Sequence, residues 1–228
     1  MTEAVEYHRH ADYLPLHVAR AAHVAVIGAG GIGSPSALAL ARLGIGRLSL
    51  LDDDVVEPHN VSSQHFTLSD LGDGKVEALA RHCRAVGAPT VDAIAARVPA
   101  AETLVALRAA DIIVSGVDSM ASRSAIWASR VHWCAQLYLD LRLGGEQIVC
   151  YAVHPTDPAS VGEYTVSLYD DAEAVDLPCT ARGVVDVGLI AAALAARSVR
   201  RALAGAALAP AAHIDWASLA TPSQPCQV

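Results

Sequence analysis

Four apolar residues, Val24 to Ile27, run without interruption into Gly28-Ala29-Gly30-Gly31-Ile32-Gly33, and Ser34–Leu43 then takes up helical spacing with Gly44 as a natural stop. A strand that empties into a glycine run and at once into a helix leaves few folds open. The glycines let the backbone turn tightly and come close to a phosphate. The helix start adds unpaired N–H groups and a partial positive charge. A second strand, Arg47–Leu51, ends at Asp52, where a carboxylate can accept hydrogen bonds from ribose hydroxyls. This much predicts a nucleotide but does not separate NAD, FAD and ATP.

Helical and strand patterns keep alternating beyond this unit. Helices are expected at Lys75–Val86, Ala101–Ala109 and Ser119–Trp133, and strands at Val91–Val98 and Asp111–Val117. Such alternation predicts an α/β fold, a Rossmann-like, doubly wound and mostly parallel sheet whose ligand crevice lies at the carboxyl ends of the strands. Gly28, Asp52 and Asp118 all fall at such ends. Leu137–Leu143 and Glu146–Val153 read as antiparallel strands added in the C-terminal part. Residues 154–178, with three prolines and an acidic cluster, read as a long crossover-type loop. An Ala-rich helix over Gly183–Leu203 and an edge strand near His213–Leu219 follow. Residues 1–20, polar and holding Tyr7-His8-Arg9-His10, read as an N-terminal arm, and 21–228 as a single domain.

Composition narrows the function. With 53% hydrophobic but only 4% aromatic residues, the core must be built mainly from Ala, Val, Leu and Ile. A net charge of -8 argues against nucleic acid as a partner. The cysteines, at 83, 134, 150, 179 and 226, form no C-x-x-C pair, so no structural zinc is expected. Cys83, Cys134 and Cys150 read as buried fillers, and Trp127 and Trp133 as residues of the core or of a dimer interface. The start lacks an apolar signal core, and Val184–Ala196 is short and broken by Asp186. A soluble cytoplasmic protein without a membrane partner is expected.

The segment after the second strand separates the nucleotides. Leu51-Asp52-Asp53-Asp54-Val55-Val56-Glu57-Pro58-His59-Asn60-Val61-Ser62-Ser63-Gln64 resembles the ThiF/MoeB/HesA signature L-D-x-D-x-V-x-x-x-N-L-x-R-Q. Gly74-Lys75 resembles that family's helix start, and Asp118 with Arg123 five residues on resembles its T-D-N-x-x-x-R. The resemblance spans roughly residues 22–153. It implies an ATP-dependent adenylyltransferase that activates a carboxylate as an acyl-adenylate. Asp52 would hold the ribose, Asn60 and Lys75 the phosphates, and Asp118 a Mg²⁺ ion. Gly28, Gly30, Gly31, Gly33, Asp54 and Gln64 would complete the ATP site. The implied acceptor is the C-terminus of a small ubiquitin-like sulfur carrier, a peptide or a small biosynthetic acid, and the implied assembly is a homodimer.

The pattern breaks at Ser63, where the family has an arginine able to grip phosphate oxygens bidentately. Arg9 is the expected substitute, because the arm resembles a Y-x-R-Q segment that relatives lend to a neighbouring subunit; His59 and His65 are the other candidates. Cys179, before an expected helix start and near Arg182, is a candidate nucleophile. Two further readings stay open: an NAD- or FAD-dependent oxidoreductase, resting only on the glycine run and Asp52, and a catalytically degenerate nucleotide-binding interaction protein, resting on Ser63.

Overall fold

The computed structural model describes residues 7–173 and 184–218. Seven strands form one sheet: β1 (His23–Ile27), β2 (Arg47–Leu51), β3 (Thr90–Ile94), β4 (Ile112–Ser115), β5 (Leu137–Gly144), β6 (Gln147–Val153) and β7 (Ala211–Asp215), in the order β3-β2-β1-β4-β5-β6-β7. The first five are mutually parallel, and β6 and β7 are added antiparallel. Seven α-helices are described: α1 (Leu16–Ala21), α2 (Gly33–Arg42), α3 (Lys75–Ala85), α4 (Ala101–Ala109), α5 (Met120–Ala128), α6 (Pro158–Thr165) and α7 (Val185–Leu203).

Alternate residues of each central strand feed opposite cores. Val24, Val26, Leu48, Leu50, Leu139 and Leu141 share one core with Leu40, Leu79 and Ala191 of α2, α3 and α7. Ala25, Ile27, Ile113 and Tyr138 share the other with Leu107, Trp127 and Tyr164 of α4, α5 and α6. Burial on both faces explains the unbroken apolar runs of β1 and β4. The strand order reverses at β1, which lies between β2 and β4, and the crevice at a reversal is where such sheets take ligands.

Five expectations need correcting. The strand expected over Val91–Val98 stops at Ile94, because its one partner, β2, ends in register with it at Leu51. The helix expected over Ser119–Trp133 ends at Ala128 and tightens into a 3₁₀ turn, Ser129–His132. The long loop contains α6: Pro158, which looks like a breaker, sits in the first turn, where its missing N–H does no harm, and Asp157 caps Ala159 N–H. The arm is not free of the core either. Tyr7 and Leu14 are buried, and the Tyr7 hydroxyl donates to Gly87 O. Cys134 is exposed, whereas Cys83 and Cys150 are buried fillers as expected.

Candidate nucleotide site

The glycine turn is shaped by contacts that tolerate no side chain at two places. Gly28 has a φ of +87°, and its N–H donates to Leu51 O at 2.8 Å, joining the ends of β1 and β2. A Cβ on Gly33 would lie 1.7 Å from Gly28 O, so only glycine lets α2 begin here. Gly188 of α7 packs against Gly31 O from above. Around Gly30, by contrast, a Cβ would meet nothing within 4 Å. The turn is therefore closed on its protein side and open on one outer side.

Asp52 ties this turn to the segment that follows. Its Oδ2 accepts from Ala29 N–H at 2.6 Å, and its Oδ1 accepts from Asp54 N–H at 2.8 Å. An isolated bridge, Val55 to Gly74, then brings the start of α3 back beside Asp54. Lys75 N–H donates to Asp54 O, and Lys75 Nζ donates to Asp54 Oδ2, both at 2.9 Å. Lys75 is not a solvated first-turn residue: its side chain is 8% exposed, against 58% for that of Asp54. Asn60 is buried at the end of a 3₁₀ turn, and its Oδ1 accepts from Glu57 N–H at 2.9 Å. Asp54, Val55, Glu57, His59, Asn60 and Lys75 line one cavity of about 200 Å³.

The remaining sequence candidates fall in different places. Gln64 N–H donates to Asn60 O, and its buried Oε1 has no hydrogen-bond partner among the described residues. Ser63 faces Gly31 through its backbone. His65 is anchored nearby, its N–H donating to Ser34 Oγ, which donates to Gly30 O. Its ring, however, packs edge-on to His82 of α3 at 5.8 Å. Partial burial and the neighbouring His82 also hold its pKa below the ordinary histidine value, which disfavours the cation that Ser63 lacks. His59 does line the cavity, with Nδ1 3.3 Å from Glu57 Oε2.

Asp118 lies exposed beyond β4, on the other flank of the turn, and does not line the Lys75 cavity. The cap of α5 is Ser119, whose Oγ accepts from Ser122 N–H. Arg9 is exposed in the His8–His10 turn. Nearby Tyr7 is fixed to Gly44 and Gly87, in the loops that lead into β2 and β3, at the opposite edge of the sheet from the glycine turn. Arg9 therefore does not join its own chain's site. Cys179 lies outside the described residues.

Sequence reasoning missed a buried polar group in the middle of β5, beside the carboxyl end of β4. Asp140, fully buried, accepts from Arg123 Nε at 3.2 Å, Arg142 Nε at 2.7 Å and the Tyr164 hydroxyl at 3.0 Å. Burial, and then the Asp140 charge, push the Tyr164 phenol up. The signal was present: Asp140 and Arg142 are two apart in an otherwise apolar strand, which puts both on one face. Asp171 was also missed. Its carboxylate accepts from Met120 and Ala121 N–H at the start of α5 and holds the crossover segment there.

A glycine turn at the reversal point of a doubly wound sheet, with a carboxylate at the end of the next strand, defines a Rossmann-like nucleotide-site architecture. The chain belongs to the ThiF family, whose profile matches residues 12–212. It is 40% identical over 105 residues to the adenylyltransferase and sulfurtransferase MOCS3 of Arabidopsis thaliana, covering 45% of this chain and 23% of that protein. To the SAMP-activating enzyme E1 of Haloferax volcanii it is 34% identical over 102 residues, 44% of this chain and 38% of that one. The chain thus spans less than half the length of these relatives. The fold is that of E. coli MccB with ATP (TM-score 0.69, 22% identity, 90% of this chain and 64% of that one). It is also that of E. coli tRNA N6-threonylcarbamoyladenosine dehydratase, TcdA, in complex with ATP (TM-score 0.68, 20% identity, 87% and 93%).

Proposed function

We propose that this protein is an ATP-dependent adenylyltransferase that activates a carboxylate. The observation that carries the reading is the buried Lys75 amine, set with Asn60 in one cavity and tied through Asp54 and Asp52 to the glycine turn. In this reading the turn and Asp52 take the nucleotide's ribose and first phosphate, and Gln64 adds a polar contact. A carboxylate oxygen of the acceptor attacks the α-phosphorus, the bond to the β-phosphate breaks, and pyrophosphate leaves. Two anions meet in that step, so the site must supply positive charge and N–H donors at the transition state. Lys75 and the turn's amides do so from this chain. The hard carboxylate oxygens of Asp118 on one flank, and of Asp52, Asp53 and Asp54 on the other, suit Mg²⁺, which would neutralise phosphate charge.

The acceptor is a carboxylate at the end of a ubiquitin-like carrier, a peptide or a small acid. Support comes from the names of relatives: a SAMP-activating enzyme, and MccB crystallised with MccA. In this reading the protein is a homodimer, and Arg9, exposed in the His8–His10 turn away from its own chain's glycine turn, would serve the neighbouring subunit's site. Cys179 would act after adenylation, as a thiol acceptor. The location that belongs to this reading is the cytoplasm; among the described residues no helix is long and apolar enough to cross a membrane.

The test is carboxylate-dependent exchange of labelled pyrophosphate into ATP across a panel of small acids, peptides and Gly-Gly-ended carriers. Exchange with at least one acceptor is expected, falling about 10²–10³-fold in Lys75→Met. No exchange with any acceptor, together with a thermal shift from NAD or FAD and none from ATP, would overturn the reading in favour of an oxidoreductase.

A further inference from the structure

The Lys75 amine is already occupied by an anion of the protein itself. Its stem is enclosed, its side chain is 8% exposed, and Asp54 Oδ2 lies 2.9 Å from Nζ. An ammonium taken out of water without a partner is strongly disfavoured, so a counter-charge must be present before any ligand arrives. The backbone delivers one: the Val55–Gly74 bridge and the Lys75 N–H to Asp54 O bond hold the two residues side by side. Yet Asp54 is only loosely committed. Its side chain is 58% exposed, so water can solvate the carboxylate once it leaves the amine.

The charge around the cavity sharpens the point. Asp54 and Glu57 contribute two negative charges to its lining and Lys75 one positive charge. A phosphate approaching Nζ therefore meets an acid already bonded to its target and a second acid at the wall. We propose that Asp54 is a built-in stand-in for the nucleotide's phosphate: it keeps Lys75 paired and aimed in the empty protein, and it must release the amine when a polyphosphate enters. This rests on the reading of the cavity as a phosphate site. A consequence is a displacement cost. A polyphosphate makes enough contacts, with the glycine-turn amides as well, to displace the carboxylate, whereas an anion with little charge leaves the pair in place.

The experiment is calorimetric titration of ATP and of AMP into wild type, Asp54→Asn and Asp73→Asn in metal-free buffer containing EDTA, with thermal melts of each protein alone. Asp73→Asn removes the same charge two residues from Lys75, but the Asp73 side chain pairs with Arg81 and does not line the cavity. Asp54→Asn should melt lower than wild type and bind ATP about fivefold tighter, with AMP gaining no more than ATP does. Asp73→Asn should stay within about twofold of wild type for both ligands. ATP bound by Asp54→Asn no more tightly than by wild type, or an equal gain in Asp73→Asn, would overturn the stand-in role while leaving the phosphate site in place. Failure of wild type to bind ATP in EDTA and in Mg²⁺ alike would remove the site and this role together. If Asp54→Asn does not fold, Asp54→Ser is titrated in its place with the same expectations.

Discussion

At Gly33 an added methyl group would sit 1.7 Å from Gly28 O, while at Gly30 it would meet no atom within 4 Å. The two glycines of one turn therefore serve different ends. Gly33 is required for α2 to begin against β1, so Gly33→Ala should unfold or severely destabilise the protein. Gly30 borders open space, and its backbone conformation is one that alanine can adopt. Gly30→Ala is thus expected to leave the melting temperature within a few degrees of wild type while weakening ATP binding about tenfold or more, because the new Cβ occupies the ligand's side of the turn. Paired melts and titrations check this. Equal losses of stability in both variants would mean that Gly30 is structural too. The glycine spacing was legible in the sequence. Which of the two borders open space was not, because that depends on what α7 and residues 62–64 leave uncovered.

Elements β5 and α5 are joined by the Asp140 group, which also receives the crossover segment: Arg142 donates to Ser167 O and Oγ at 2.8 and 3.0 Å. One buried carboxylate here compensates two guanidinium groups whose side chains are 6% and 12% exposed. Asp140→Ala would leave both uncompensated and should cost about 3–5 kcal/mol in denaturant unfolding, with Tyr164→Phe costing about 1–2 kcal/mol through one lost bond. A loss below about 1 kcal/mol for Asp140→Ala would show that water or another anion reaches the cluster. At this scale the sequence located the strands well where apolar runs are long. It failed at β3, whose end is set by a neighbour, and at α6, which is short and begins with a proline. Element ends are decided by partners as much as by local preference.

The whole molecule carries a titratable link between its strands. His23 is buried at the start of β1, with Nδ1 2.9 Å from Ala109 O and Nε2 2.9 Å from Ser49 Oγ. Burial, above all, lowers its pKa from the ordinary value near 6.5. The unfolded chain therefore binds a proton more readily than the folded one. Stability from this ring is complete above about pH 6.5 and falls as the pH drops below that value. Melts between pH 7.5 and 5 should show a decline that is shallower in His23→Gln, although that variant starts from a lower melting temperature; identical slopes would show that His23 contributes nothing to the acid limb.

What the residue order settled alone is local: a strand, a glycine turn and a helix in succession, and a signature of Asp52, Asn60 and Lys75 whose spacing places them near strand and helix ends. These follow from backbone sterics and hydrophobic period, which act over a few residues. What only the tertiary structure decided is which charges meet. Lys75 is buried because α3 returns to the end of β2, Arg9 is held at the far edge because Tyr7 enters the core, and Asp140 gathers two arginines because α5 packs over β5. Each depends on contacts between segments distant in the chain, and electrostatic energy is fixed by distance and burial rather than by sequence separation.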